Sequence, residues 1–223
     1  MNRDIRSYAL RRGRMTSLQR RSLATLSGGS CIPFSDAKLD FKELFTDRSE
    51  VIVEVGFGMG DATAQIAAEN PERGFLGIEV FEAGVGKLLS EIERRELCNV
   101  KIIVHDAREV LAAMVPDGSL AGVHIFFPDP WPKKRHHKRR LIQPSFARLV
   151  AEKLRPGAYL YVVTDWEDYA EQVLSVLGSE PLLANPHGGY APRQEWRPET
   201  SFERKGQRKN HLIREVYFVR KDV

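Results

Sequence analysis

The sequence predicts a doubly wound α/β fold, a mostly parallel Rossmann-like sheet finished by an antiparallel C-terminal strand. Three observations predict it. From Val51 onward, short β-branched runs alternate with stretches of helical apolar spacing; a glycine-rich turn follows the first run; and acidic residues mark the ends of successive runs. A chain of 223 residues, 42% apolar and 29% charged, can bury one sizeable core, so residues 31–223 are expected to form a single domain.

Ahead of that domain, residues 1–30 carry Arg3, Arg6, Arg11, Arg12, Arg14, Arg20 and Arg21, then Ser27-Gly28-Gly29-Ser30, with few large apolar residues. This composition predicts a flexible basic arm. Strands are expected at 51–55, 74–79, 100–105, 120–127, 158–164 and 213–220. Helices at 61–70, 82–97, 107–115, 144–154 and 167–177 fill the gaps, each with apolar residues three or four positions apart. Such a sheet binds its ligand outside the carboxyl ends of the strands, where the strand order reverses. Glu79, Asp106, Asp129 and Asp165 stand at those ends, with Glu54 just inside the first.

A net formal charge of +4 is modest for the length, so the placement of the charge matters more than its total. Cys31 and Cys98 are the only cysteines, with no Cys-x-x-Cys and no Cys/His set at metal spacing. That argues against a disulfide framework or a zinc site and fits a reducing cytoplasm. No apolar run approaches the roughly 20 residues that span a bilayer, and the N-terminus lacks a signal-peptide core. The expectation is a soluble cytoplasmic protein, monomer or homodimer, without metal, membrane or obligate protein partner.

The glycine turn reads Glu54-Val55-Gly56-Phe57-Gly58-Met59-Gly60. Glycines let the backbone bend sharply and approach a ligand, which by itself also suits a plain strand-to-helix connection or a dinucleotide site. The dinucleotide fingerprint, however, would place its third glycine at Asp61, and an acid at a helix start opposes a bound pyrophosphate. S-adenosylmethionine carries a sulfonium and an ammonium and no phosphate, so carboxylates suit it. Glu79 can accept both ribose hydroxyls and Asp106 the adenine amino group. S-adenosylmethionine is therefore the expected cofactor, with S-adenosylhomocysteine as product.

The fourth strand runs into Pro128-Asp129-Pro130-Trp131-Pro132, whose three prolines hold Asp129 and Trp131 at the strand end. Directly after it, Lys133-Lys134-Arg135-His136-His137-Lys138-Arg139-Arg140 has the density of a phosphate-binding strip. A base-sized pocket beside a basic strip, together with the arginine-rich arm, points to RNA.

Over nearly its whole length the sequence resembles the bacterial tRNA (guanine-N7-)-methyltransferase family, of class I methyltransferase fold. The resemblance is carried by Arg6-Ser7-Tyr8 with Arg12-x-Arg14, the glycine turn, Gly77-Ile78-Glu79, Phe127 to Lys134, Thr164-Asp165-Trp166 and Thr200-Ser201-Phe202-Glu203-Arg204-Lys205-Gly206. It implies methyl transfer to N7 of a guanine in the variable loop of tRNA. By the same resemblance Glu54, Gly56, Gly58, Gly60, Glu79, Asp106 and Asp129 meet the cofactor, and Asp129 is the catalytic residue. Lys133, Asp165, Thr200, Ser201, Phe202 and Glu203 would hold the substrate, while Arg135, His136, His137, Lys138, Arg139 and Arg140 would meet the RNA. Ser201 and Asn210-His211 depart from the family pattern.

Two rival readings account for less. A nicotinamide oxidoreductase needs a phosphate-compatible turn, and a non-catalytic RNA-binding protein does not need ordered acids at strand ends. Asp129-Pro130-Trp131 is also similar to the loop of adenine amino methyltransferases, but the second proline of that loop is missing; methylation of another RNA guanine or of an adenine amine is the alternative activity.

Overall fold

The computed structural model describes residues 6–8, 14–46, 48, 50–208 and 211–222. Arg3, Arg11, Arg12 and Asn210 lie outside them. In chain order the elements are α1 (Ser17–Ser30), α2 (Phe41–Phe45), β1 (Val51–Val55), α3 (Asp61–Glu69), β2 (Gly74–Glu79), α4 (Glu82–Arg95) and β3 (Val100–Val104). Then follow α5 (Ala107–Ala113), β4 (Leu120–Phe126), a 3-10 helix (Lys134–Arg139), α6 (Pro144–Lys153), β5 (Leu154–Thr164), α7 (Glu167–Gly178), β6 (Leu183–Ala184), α8 (Ser201–Gln207) and β7 (Arg214–Arg220).

The seven strands form one sheet in the order β3-β2-β1-β4-β5-β7-β6. β1 to β5 pair in parallel, and β7 runs antiparallel to β5 and to β6. This is the expected doubly wound sheet with an antiparallel C-terminal strand. β1 is buried at every position because helices cover both faces of a parallel sheet. Alternate residues feed two cores. Val53, Val55, Leu76, Ile78, Val123 and Ile125 pack with α5, α6 and α7, whereas Ile52, Phe75 and Ile102 pack with α3 and α4. The order reverses between β1 and β4, so their carboxyl ends open the crevice in which such folds bind ligands.

Three differences from the sequence expectation have physical causes. Residues 17–30 of the expected flexible arm form α1, begun by a capping box in which Thr16 and Gln19 bond reciprocally. The helix is nearly featureless in sequence because it docks through close backbone approach: a Cβ on Gly86 of α4 would lie 2.4 Å from the Gln19 carbonyl oxygen. Leu23 and Leu26 then pack on the second core. β5 starts at Leu154 rather than 158, running through Pro156-Gly157 with a register shift opposite β4, and proline is tolerated at such a strand start or bulge. β6 has only two residues, too few for any period to show.

Candidate active site

The turn after β1 is held by backbone geometry that only glycine adopts cheaply. Gly56, Gly58 and Gly60 have φ of 72°, 59° and 74°. At Gly60, which precedes α3, an added Cβ would sit 2.7 Å from Leu88 Cβ, and at Gly84 in α4 it would meet the Gly58 carbonyl oxygen at 1.8 Å. Helix α4 therefore presses directly on the turn.

Glu79, at the end of β2, ties this turn to the next. Its Oε2 accepts the Gly58 amide at 2.8 Å, and its Oε1 accepts the Val80 and Phe81 amides at 2.7 and 3.0 Å. Burial raises its carboxyl above the usual range, although the three amides oppose that shift. Glu54 lies deeper. It is 4% exposed, accepts the Thr63 hydroxyl at 2.8 Å, and is pushed up to about 7 by burial. Asp106 caps α5 by accepting the Arg108 amide at 2.9 Å.

These elements surround a cavity of about 620 Å3, within the size range of ligand pockets. Gly56, Gly58, Glu79 and Asp129 line it, with Phe81, Phe126 and Leu141 as apolar walls and Phe202 at one side. Glu54, Gly60 and Asp106 are not in its lining, although His105 and Ala107 on either side of Asp106 are. Among the described residues the lining includes the carboxylates Glu79, Glu82 and Asp129 and no lysine or arginine. That donor set fits a cationic sulfonium and opposes a pyrophosphate.

Asp129 sits in a loop under backbone strain. Phe127 and Trp131 bracket it with φ of 51° and 44°, values a bulky residue rarely adopts. Trp131 is pinned from several sides: its indole N–H donates to the Ser7 carbonyl at 2.9 Å, the Arg139 guanidinium lies 4.0 Å over its ring, and His136 meets it edge-on. Ser7, Tyr8 and Met15 thereby reach the cavity wall. The sequence marked Ser7 and Tyr8 only as part of the family resemblance, and it gave no signal for Met15.

The basic strip divides. Lys133, Lys134, Arg135 and Lys138 are exposed, and His136, His137 and Arg139 are half-buried. Arg140 is a correction to the expected RNA contacts. It is 1% exposed and donates to the Pro130 carbonyl, Gln172 and Asp168 at 2.8, 2.6 and 2.7 Å. A guanidinium with all its donors turned inward holds the proline loop to α7 instead of meeting a phosphate.

The C-terminal segment also divides. Thr200 caps α8 by accepting the Glu203 amide at 3.1 Å, Ser201 is exposed, and Phe202 stacks near Phe127 with ring centroids 6.3 Å apart. Glu203 is buried against Arg197 and Arg193 and does not line the cavity. Asp165 follows β5, 3.2 Å from His211 Nδ1 and packed against Gly206. It too is outside the lining.

The family model "Putative methyltransferase" matches residues 48–216. A tRNA (guanine-N(7)-)-methyltransferase of Bordetella parapertussis is 52% identical over 97% of this chain and 85% of its own. One of Nitrosospira multiformis is 50% identical over 99% of this chain and 96% of its own. The chain belongs to the tRNA (guanine-N(7)-)-methyltransferase family. Among solved structures, the 16S rRNA methyltransferase KamB superposes with a TM-score of 0.61 at 17% identity, covering 81% of this chain and 92% of that one. The [4+2]-cyclase SpnF does so at 0.53 and 15%, covering 92% and 93%. A fold shared with a cyclase leaves the reaction to the residues of the site.

Proposed function

We propose that this protein transfers the methyl group of S-adenosylmethionine to N7 of a guanine in tRNA. The observation that carries the reading is Asp129: an acid held in a strained proline loop, on a cavity lined by carboxylates and beside a basic strip. The names of the relatives support the acceptor.

When bound, S-adenosylmethionine supplies an electrophilic methyl group on sulfur. Guanine N7 has an in-plane lone pair and no proton, so no general base is required. The protein's task is positioning, which in favourable cases lowers a two-substrate barrier by roughly 7 to 11 kcal/mol. Glu79 and the Gly56–Gly60 turn hold the cofactor, with Glu54 and Asp106 at the neighbouring strand ends. Asp129 accepts hydrogen bonds from guanine N1–H and the exocyclic amine, which selects guanine and stabilises the positive charge that develops on the ring. Phe202 offers an exposed aromatic face for the base. Lys133, Lys134, Arg135 and Lys138 meet the RNA backbone, with His136, His137 and Arg139 beside them. The chain works in the cytoplasm as one catalytic domain, with the N-terminal segment contributing Ser7, Tyr8 and Met15 to its cavity.

The test is to incubate the protein with labelled S-adenosylmethionine and unmodified tRNA and to identify the methylated nucleoside by mass spectrometry. 7-Methylguanosine supports the reading. N6-methyladenosine or no product overturns it. Asp129→Ala is expected to lose methyl transfer while binding tRNA normally; normal turnover would remove Asp129 from its role.

A further inference from the structure

A chain of buried ions leads from the sheet to the acceptor side of the cavity. Arg197 is fully buried, 1% exposed, in the segment between β6 and α8. Its Nη1 donates to Glu203 Oε2 at 2.6 Å and its Nη2 to Glu203 Oε1 at 3.1 Å, a two-pronged grip on one carboxylate. The same Nη2 reaches Glu215 Oε1 of β7 at 2.8 Å, and the other oxygen of Glu215 accepts the Tyr161 hydroxyl of β5. Arg193 makes a second ion pair with Glu203 and donates to the Arg197 carbonyl at 2.9 Å. Both Glu203 oxygens are thus engaged inside the protein.

Helix α8 has only seven residues, a length that is marginal without tertiary support. The bond from Arg197 to Glu203 supplies that support in its first turn. Phe202, the residue before Glu203, is 45% exposed, lines the cavity and lies within 19° of parallel to Phe127. Where Glu203 is held, Phe202 is held.

We propose that Arg197 is a positioning residue for methyl transfer: by fixing Glu203 against Glu215 it sets the Phe202 face against which the acceptor base stacks, and Glu203 acts through this grip instead of touching the base. The inference rests on the functional reading above. A flipped-out base stacks on aromatic faces, so a shift of this wall misplaces the base relative to the methyl group. The phosphate contacts of the basic strip are unaffected. The signature is a fall in kcat with little change in KM for tRNA.

The experiment uses the full chain as Arg197→Gln, Glu203→Gln, the double variant and Phe202→Leu. Initial rates are measured across tRNA concentrations, cofactor affinity by calorimetry and integrity by thermal melting. Each single variant is expected to lower kcat at least about tenfold, with KM for tRNA and Kd for cofactor within about threefold of wild type. The double variant is expected to be no slower than the slower single one. Phe202→Leu leaves the buried ions intact and is expected to show the same kcat loss even if the Arg197 variant does not fold. Losses from Arg197→Gln and Glu203→Gln that multiply in the double variant would show that the two residues act independently and overturn the inference. Unchanged kcat in Phe202→Leu would do the same. A wild-type enzyme that leaves guanine N7 unmethylated would instead overturn the functional reading on which this rests.

Discussion

Glu79 and Gly58 are joined by a 2.8 Å hydrogen bond in which the amide of the first glycine turn donates to a carboxylate from the next strand. The two turns, both of which line the cavity, are therefore one mechanical unit. Glu79→Ala removes the acceptor of three amides at once. Hydrogen bonds to a charged group contribute about 1.5–3 kcal/mol each to stability, so the variant is expected to loosen both turns and to bind S-adenosylmethionine more weakly than wild type. Calorimetric titration checks this, and wild-type affinity would contradict it.

Helix α4 meets the same turn from behind. Gly84→Ala would drive a Cβ to 1.8 Å from the Gly58 carbonyl oxygen, a backbone atom that cannot rotate away. Overpacking of this kind costs about 1–3 kcal/mol. The expected result is a lower melting temperature together with weaker cofactor binding; Gly29→Ala, where nothing lies within 4 Å, serves as the control.

Buried Glu54 makes stability depend on pH. Its folded-state pKa of about 7 lies above the ordinary carboxylate value, so the folded protein keeps a proton that the unfolded chain releases. Stability from this group is complete below about pH 4.5 and is lost as pH rises towards 7, by about 3 kcal/mol in all. Glu54→Gln retains an acceptor for the Thr63 hydroxyl and carries no charge. Urea midpoints of wild type and variant, measured without cofactor, are expected to diverge from pH 5 to pH 8 in favour of the variant. Parallel curves would refute the shift.

Arg140 and Lys138 are two residues apart in one basic run and are expected to behave in opposite ways. Arg140→Ala strips hydrogen bonds from Pro130, Gln172 and Asp168. Because Asp168 is mostly exposed and remains solvated, the cost is about 2 kcal/mol rather than that of a stranded buried charge. Lys138→Ala should leave the melting temperature unchanged and reduce the salt dependence of tRNA binding by about one unit of slope. Equal effects of the two on the salt slope would return Arg140 to the RNA surface.

The β/α alternation was legible because a parallel sheet buried on both faces leaves unbroken apolar runs such as Val51–Val55, and amphipathic helices leave a period of their own. The glycine turn was legible for the same local reason, since it is tied to a strand terminus that the pattern locates, and of the strand-end acids Glu79 and Asp129 line the cavity while Glu54, Asp106 and Asp165 do not. Helix α1 was not, since a helix that docks its backbone on Gly86 needs few apolar side chains to mark it.

What the sequence by itself determined is the sheet and its crevice, because these depend on short-range periodicity and on spacing from a turn. The tertiary structure decided which charges face the cavity and which face inward. Asp129 and Glu79 line the cavity, while the charges of Arg140, Arg197 and Glu203 are paired with ions at least six residues away along the chain. Burial is a property of the packed whole, and a charged residue in a run of charges carries no local mark of it.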